Sequence, residues 1–323
     1  MNIRAYVRIA RPDHWVKNVF VAPGLLLAFF FMPTLPLTRT LLLTAAGVVC
    51  ACLIASSNYV LNELLDAAHD RHHPDKRYRP VPSGEVNRAA GYALWLGLAV
   101  VGVALSLWIS LPFALAGLSL WVMGVLYNVP PIRLKDLPYT DVLSESINNP
   151  IRLAMGWYAA LAAVADGSPP LPPTSVLGAY WMFGAFLMAA KRFAELRHIG
   201  DPARAGDYRK SFRYYTETRL AVSIINYVTL FGMFAGVFIS RYRMELLLAA
   251  PLVALAMGRY MRMAYASDSL VQHPERLYQD RRLFALVIAA FLACAVLMFV
   301  NVPALRTFFL PRYPASALET DSR

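Results

Sequence analysis

The sequence predicts an all-α integral membrane protein with nine transmembrane helices, and three observations predict it. Of 323 residues, 58% are hydrophobic and only 16% are charged, with a mean hydropathy of +0.46; a soluble domain carries roughly 25% charged residues. Apolar stretches long enough to cross a bilayer, about 20 residues each, recur along the whole chain. The basic residues also alternate in density from one connection to the next, as the positive-inside rule requires.

In order, the predicted spans are 14–31, 40–62, 88–109, 112–127, 140–164, 174–196, 217–240, 244–264 and 283–303. The first and fourth are the shortest. Arg4, Arg8 and Arg11 precede the first run, and no small-residue cleavage site follows, so no cleavable signal peptide is expected. With the N-terminus cytoplasmic, the inside segments hold Lys17, Arg71, Lys76, Arg77, Arg79, Arg88, Arg133 and Lys135. They also hold the dense 191–219 group, Arg259, Arg262, Arg276, Arg281 and Arg282. The outside holds Arg39, Arg241, Arg243 and the tail arginines Arg306, Arg312 and Arg323. Nine spans with the N-terminus in and the C-terminus out, in the cell inner or plasma membrane, satisfy that asymmetry. Residues 1–304 are expected to form one domain and 305–323 a flexible tail. Cys50, Cys52 and Cys294 all fall inside predicted spans, without CxxC spacing, and suggest neither a disulfide framework nor zinc.

The net charge of +11 does not point to nucleic acid, because the basic residues sit at helix ends rather than on a soluble module. Acids accompany them at particular places. NELLDAAHDRHHPDKRYRP (62–80) closes the second span. Helical spacing stacks Asn62, Asp66 and Asp70 at i, i+4 and i+8, with Glu63 close to the same face. Carboxylates so placed repel unless a cation lies between them, and an oxygen-only set suits a hard ion such as Mg²⁺. His69, His72 and His73 read as a solvated loop in preference to transition-metal ligands.

A second set lies in LKDLPYTDVLSESINNPIR (134–152). Asp141, Glu145, Asn148 and Arg152 follow i, i+4, i+7 and i+11, which keeps all four within a narrow stripe. A structural Glu145–Arg152 pair is the simplest alternative, but it leaves Asp141 and Asn148 unexplained. Ionisable groups at membrane depth normally face a bundle interior or an aqueous cavity. Magnesium held by a few carboxylates keeps coordination for substrate phosphates, and Lys76, Arg77, Arg79, Arg133 and Lys135 are placed to take the remaining phosphate oxygens. The implied ligand is a diphosphate at the cytoplasmic end of a helical bundle. A third segment, 191–219, supplies Lys191, Arg192, Arg209, Lys210 and Tyr215, donors suited to further anionic groups; topology alone would also make it basic.

N-x3-D-x3-D at 62–70 followed by DKRYRPVPSGEV, with YNVPPIRLKDLPYTD (127–141) later, resembles the UbiA superfamily. That resemblance implies a nine-helix UbiA-type bundle with a cytoplasmic-side active-site cavity, using one or two Mg²⁺ ions, with Mn²⁺ the alternative ion, and a diphosphate donor. RPDHWVKNVFVAPGLLLA (11–28), DRHHPDKRYRPVPSG (70–84) and KRFAELRH…YRKSFRYYT (191–216) are similar to the decaprenyl-phosphate phosphoribosyltransferase branch. The branch implies transfer of a ribose 5-phosphate unit from phosphoribosyl diphosphate (PRPP) to a polyprenyl phosphate on the cytoplasmic side. Charge counting points the same way, because three phosphate-bearing groups need more cations than one diphosphate does.

On that reading Asp66, Asp70 and Asp141 are catalytic. Asn62 and Glu63 join the first metal set, and Asp141 with Glu145 holds a second metal or the ribose hydroxyls. Lys17 and Asn18 are candidates for the lipid phosphate, and Lys191, Arg192 and Arg209 for the 5-phosphate. Tyr127, Asn148, Arg152, Lys210 and Tyr215 complete the expected substrate-binding set. The nearest alternative is a polyprenyl-diphosphate:aromatic-acceptor prenyltransferase; an ion-coupled transporter is the more distant one.

Overall fold

The computed structural model describes residues 3–71, 76–164, 169–266 and 269–309. Thirteen α-helices run through these residues: α1 (Ile3–Ala10), α2 (Ala22–Phe31), α3 (Leu37–Asp70), α4 (Arg88–Ile109), α5 (Leu111–Asn128), α6 (Thr140–Ser146), α7 (Asn148–Leu161), α8 (Thr174–Ile199), α9 (Pro202–Tyr208), α10 (Glu217–Tyr242), α11 (Ala250–Ala264), α12 (Arg281–Phe299) and α13 (Pro303–Phe309). Among the described residues seven segments are long and apolar enough to cross a membrane: Ile3–Phe31, Leu37–Ala68, Arg88–Ile109, Leu111–Asn128, Glu217–Tyr242, Met244–Ala264 and Arg281–Phe299. The chain is a multi-pass membrane protein.

The polarity of the bundle runs inside out. Trp108, Leu105, Ile225, Met233, Val237, Phe284 and Leu292 are exposed on its outer faces, while Glu63, Lys135, Asp141, Arg152 and Arg192 are buried. Apolar side chains on the outside cost nothing in hydrocarbon, and charges are tolerated only where they meet partners within the bundle.

Two predicted spans take a different form. The run 140–164 is not one helix: α6 ends at Ser146 and α7 starts at Asn148. Pro150 lacks the N–H that would bond to the Ser146 carbonyl, so it fits only in a first turn, and the chain breaks there. The first span is also composite, because Pro12–Val21 forms a 3-10 stretch before α2. Trp15 Nε1 donates to Ser56 Oγ at 2.9 Å and fastens that stretch to α3. At the C-terminal end α13 begins at Pro303 and runs across the expected boundary between 304 and 305; residues 310–323 lie outside the described part.

The helix α7 is central, packing on α2, α3, α5, α8 and the 3-10 stretch. Two glycines permit its closest crossing. A Cβ on Gly24 would sit 2.0 Å from the Leu153 carbonyl oxygen, and one on Gly156 would sit 2.0 Å from that of Val21. Around this crossing Leu27, Cys50, Ile54, Phe113, Met155 and Trp157 form one apolar core. A second core joins α8, α10 and α11 through Phe186, Phe193, Leu220, Ile224 and Tyr260.

Candidate functional site

The first acid cluster is assembled where α5 stops. Pro130 and Pro131 end the helix after Asn128, and Arg133, in the left-handed region at φ 35°, turns the chain back over the end of α3. That return places Arg133 Nη2 2.8 Å from Asp66 Oδ1, and Lys135 Nζ 2.7 and 2.8 Å from the two Asp66 oxygens. Asn128 Oδ1 accepts from Lys135 Nζ at 2.9 Å and from Asn62 Nδ2 at 2.6 Å, tying the predicted amide into the same network. Burial pushes the Lys135 ammonium down to about 8, against the opposing pull of the Asp66 carboxylate.

One turn further along α3, Asp70 Oδ2 accepts from Arg79 Nη1 at 2.6 Å. Glu63 turns elsewhere: it is buried, and its Oε1 accepts from the Val81 backbone N–H at 3.0 Å, which anchors the loop after α3. Arg77 is exposed and donates to the Tyr78 hydroxyl. Among the other predicted residues of this loop, His72 and His73 lie outside the described residues, as do the side chains of His69 and Lys76.

The second cluster forms around Arg192 on α8. Its three guanidinium nitrogens reach three carboxylates: Nε to Asp141 Oδ2 at 3.2 Å, Nη1 to Glu195 Oε2 at 2.9 Å and Nη2 to Glu145 Oε2 at 3.0 Å. Tyr127 donates to Glu145 Oε2 at 3.1 Å. Asp141 has no exposed surface. Its Oδ2 also accepts from Arg209 Nη1 at 3.3 Å and Ser211 Oγ at 3.2 Å, and its Oδ1 accepts from the Tyr215 hydroxyl at 2.5 Å. Burial, then the neighbouring Asp141 carboxylate, pushes the Tyr215 phenol up, so it acts as a neutral donor.

The expected stripe of Asp141, Glu145, Asn148 and Arg152 is divided by the break at Ile147. No Glu145–Arg152 pair forms, because Glu145 turns to Arg192 while Arg152 Nε donates to Asn18 Oδ1 at 2.9 Å. Asn18 in turn donates to Cys52 Sγ at 3.1 Å, and Asn148 Nδ2 bonds to the Glu145 carbonyl. Lys17 Nζ lies 6.0 Å from the centre of the Tyr59 ring. Lys191 is half-buried towards the C-terminal end of α8.

Asp136 joins the two clusters. Its Oδ2 lies 3.3 Å from Arg133 Nε and 3.1 Å from Lys210 Nζ. A continuous path of ion pairs therefore runs from Asp66 through Arg133 and Asp136 to Lys210, next to Arg209 on Asp141. The sequence reading missed Asp136, Asn128 and Ser211. Asp136 lies inside the quoted motif, and its acid between Lys135 and Asp141 was an available signal; nothing local marks Asn128 or Ser211.

The donor chemistry fits a hard divalent cation at the first cluster. Asp66 and Asp70 offer carboxylate oxygens one turn apart on one helix, where positive charge is already gathered by Lys135, Arg133 and Arg79. Asp141 fits such an ion poorly, because it has no exposed surface and four protein donors surround it, whereas Asp66 keeps 21% of its side chain exposed. Among the described residues no three His, Cys, Asp or Glu side chains converge as a ready metal site.

The UbiA prenyltransferase family matches residues 18–279, and the chain belongs to it. It is 40% identical to nodulation protein NoeC of Azorhizobium caulinodans over 100 residues, 30% of this chain and 29% of that protein. It is 33% identical to a decaprenyl-phosphate phosphoribosyltransferase of Corynebacterium glutamicum over 224 residues, 66% of this chain and 60% of that protein. The alignments thus span less than two thirds of either relative. Among solved structures it is similar to a UbiA homologue from Archaeoglobus fulgidus bound to GPP and Mg²⁺, with a TM-score of 0.64 and 17% identity, covering 90% of this chain and 99% of that one.

Proposed function

We propose that this transferase moves a 5-phosphoribosyl group from PRPP to a polyprenyl phosphate of decaprenyl type and releases diphosphate, with Mg²⁺ bound, at the cytoplasmic membrane face. The observation that carries this reading is the chain of ion pairs from Asp66 to Lys210, whose sequence neighbour Arg209 pairs with Asp141. It gathers the cations of two connections, α5–α6 and α9–α10, at one end of the bundle, with the Arg79–Asp70 pair beside them, enough for more than one phosphate-bearing group. The name of the Corynebacterium relative, a decaprenyl-phosphate phosphoribosyltransferase, supports the same transferred group and the same class of acceptor. A nine-span topology with the N-terminus inside puts both clusters on the cytoplasmic side. Seven crossings are long apolar helices, and α6–α7 and α8 supply the other two.

Asp66 and Asp70, with Asn62 nearby, would hold the divalent ion, which supplies positive charge to a departing diphosphate. Arg133, Lys135 and Arg79 stand beside those carboxylates and bind diphosphate oxygens. Arg209 and Lys210 take the 5-phosphate, because Arg192 is committed to its three carboxylates and positions α6 against α8. Attack by an acceptor phosphate oxygen forms the bond to ribose C1 while the bond from C1 to the diphosphate oxygen breaks, and its electron pair leaves with diphosphate. The acceptor oxygen is already anionic, so no base removes a proton; positioning and charge supply the rate.

A prenyltransferase reading draws on the fold neighbour bound to GPP. Membranes given labelled PRPP with polyprenyl phosphate, and separately prenyl diphosphate with 4-hydroxybenzoate, separate the two. Labelled lipid is expected from the first mixture; product from the second mixture alone would overturn the phosphoribosyl reading.

A further inference from the structure

His14 is buried, yet among the described residues neither ring nitrogen has a hydrogen-bond partner. Asp13 Oδ2 approaches Nε2 to 3.3 Å without hydrogen-bond geometry, and the Asp13 side chain is itself mostly exposed. An imidazole that has given up water at both nitrogens loses free energy unless something else bonds to it. Its surroundings indicate what that partner is. The His14 ring packs 5.3 Å from the Tyr59 ring, and the same ring is flanked by the Arg11 guanidinium at 5.9 Å and the Lys17 ammonium at 6.0 Å. A polar group placed beside these cations suits an anion with several acceptor oxygens.

Two cavities flank the cluster along the 3-10 stretch. One, about 420 Å³, is lined by Arg8, Arg11, Asp13, Glu63 and Arg79. The other, about 280 Å³, is lined by Trp15, Val16, Val19, Leu25 and Val48 and is apolar. Val16 and Val19 are well exposed on the outer face of the bundle. Arg11 and Asp13 line the first cavity and Trp15, Val16, Asn18 and Val19 the second, so His14 stands in sequence between a charged cavity and an apolar groove open to the bilayer.

We propose that Arg11, His14 and Lys17 form the subsite for the phosphomonoester head of a lipid phosphate, whose chain lies in the groove along Trp15, Val16 and Val19. The proposal rests on the phosphoribosyl-transfer reading in that it takes the acceptor to be a lipid phosphate. His14 donates to or accepts from the phosphate, Arg11 and Lys17 neutralise it, and the groove selects a lipid-borne phosphate over a free one.

The test uses the full chain in lipid nanodiscs, with binding of farnesyl phosphate, inorganic phosphate, farnesol and PRPP each measured. His14→Phe keeps the ring on Tyr59 and removes both nitrogens. It is expected to weaken farnesyl phosphate about tenfold while PRPP binding stays within about twofold. Val19→Trp, at an exposed position, is expected to weaken farnesyl phosphate and farnesol but not inorganic phosphate. Unchanged farnesyl phosphate binding in His14→Phe, or a loss confined to PRPP, overturns the subsite and leaves phosphoribosyl transfer standing. Unchanged binding in Val19→Trp overturns the groove. If the unaltered protein does not bind farnesyl phosphate, the lipid-phosphate acceptor falls and the subsite with it.

Discussion

Asp66, at the end of α3, meets two cations and keeps 21% of its side chain exposed, whereas Asp141, at the start of α6, meets four donors and keeps none. Both are aspartates in acidic motifs, both pair with arginine, and a single carboxylate, Asp136, links their networks. What separates them is where the cations come from. Arg133 and Arg79 are on connections that close over the end of α3 and keep 18% and 25% of their side chains exposed, so a ligand can compete for them; Lys135, next to Arg133, is buried. Arg192 sits within α8, with 2% of its side chain exposed and carboxylates on all three nitrogens. The first arrangement leaves charge at the disposal of a ligand, and the second converts the same chemistry into a joint between α6, α8 and the segment before α10.

The comparison breaks most clearly at Asp66. Asp66→Asn is expected to lower turnover by about a thousandfold, read as transfer of label from PRPP to lipid. Retained turnover would remove the first cluster from the chemistry. At the other cluster Arg192→Met leaves Asp141, Glu145 and Glu195 without their shared cation. The cost expected is about 3–5 kcal/mol of stability, seen as a large fall in thermal midpoint in detergent. A stable variant that lost only substrate affinity would return Arg192 to the ligand site.

Tyr215→Phe sharpens the same joint at smaller scale. It removes the hydroxyl that donates to Asp141 and accepts from the Tyr139 N–H, for an expected loss of about 1–3 kcal/mol. The thermal midpoint should fall while the Michaelis constant for PRPP holds steady.

The smallest effect belongs to a pair outside both regions. Arg259 donates to Asp280, which also caps α12 through the Leu283 N–H at 2.7 Å. That bond from Arg259 is the main reason the Asp280 carboxyl is held below its usual 3.8. A lowered carboxylate stabilises the fold above its unfolded value and stops doing so as pH falls through the folded one. Asp280→Asn should therefore shift the midpoint by about 2 °C near neutrality, and the difference should disappear in acid. A difference that persisted in acid would assign the effect to capping alone.

Spacing along a helix made the first cluster legible: Asn62, Asp66 and Asp70 share a face of α3, and a helix preserves that relation. The same rule failed at 141–152. One proline near a helix start divided the stripe, and Arg152 found Asn18, 134 residues away in sequence. Tyr215 and Arg209 were visible as donors, but their shared acceptor was not, because Asp141 lies in another part of the chain. His14 drew no attention in the sequence because its significance is a lack of partners, which only packing reveals.

Composition and hydropathy by themselves determined that this chain lives in a bilayer, since a run of some 20 apolar residues buries its own backbone polar groups as a helix wherever it sits. They also determined that acids and bases meet at helix ends. Which base holds which acid was decided only by the tertiary structure. A charge withdrawn from water pairs with whatever counter-ion the packed helices bring within about 3 Å, and that distance is set by the whole bundle, not by any local stretch of sequence.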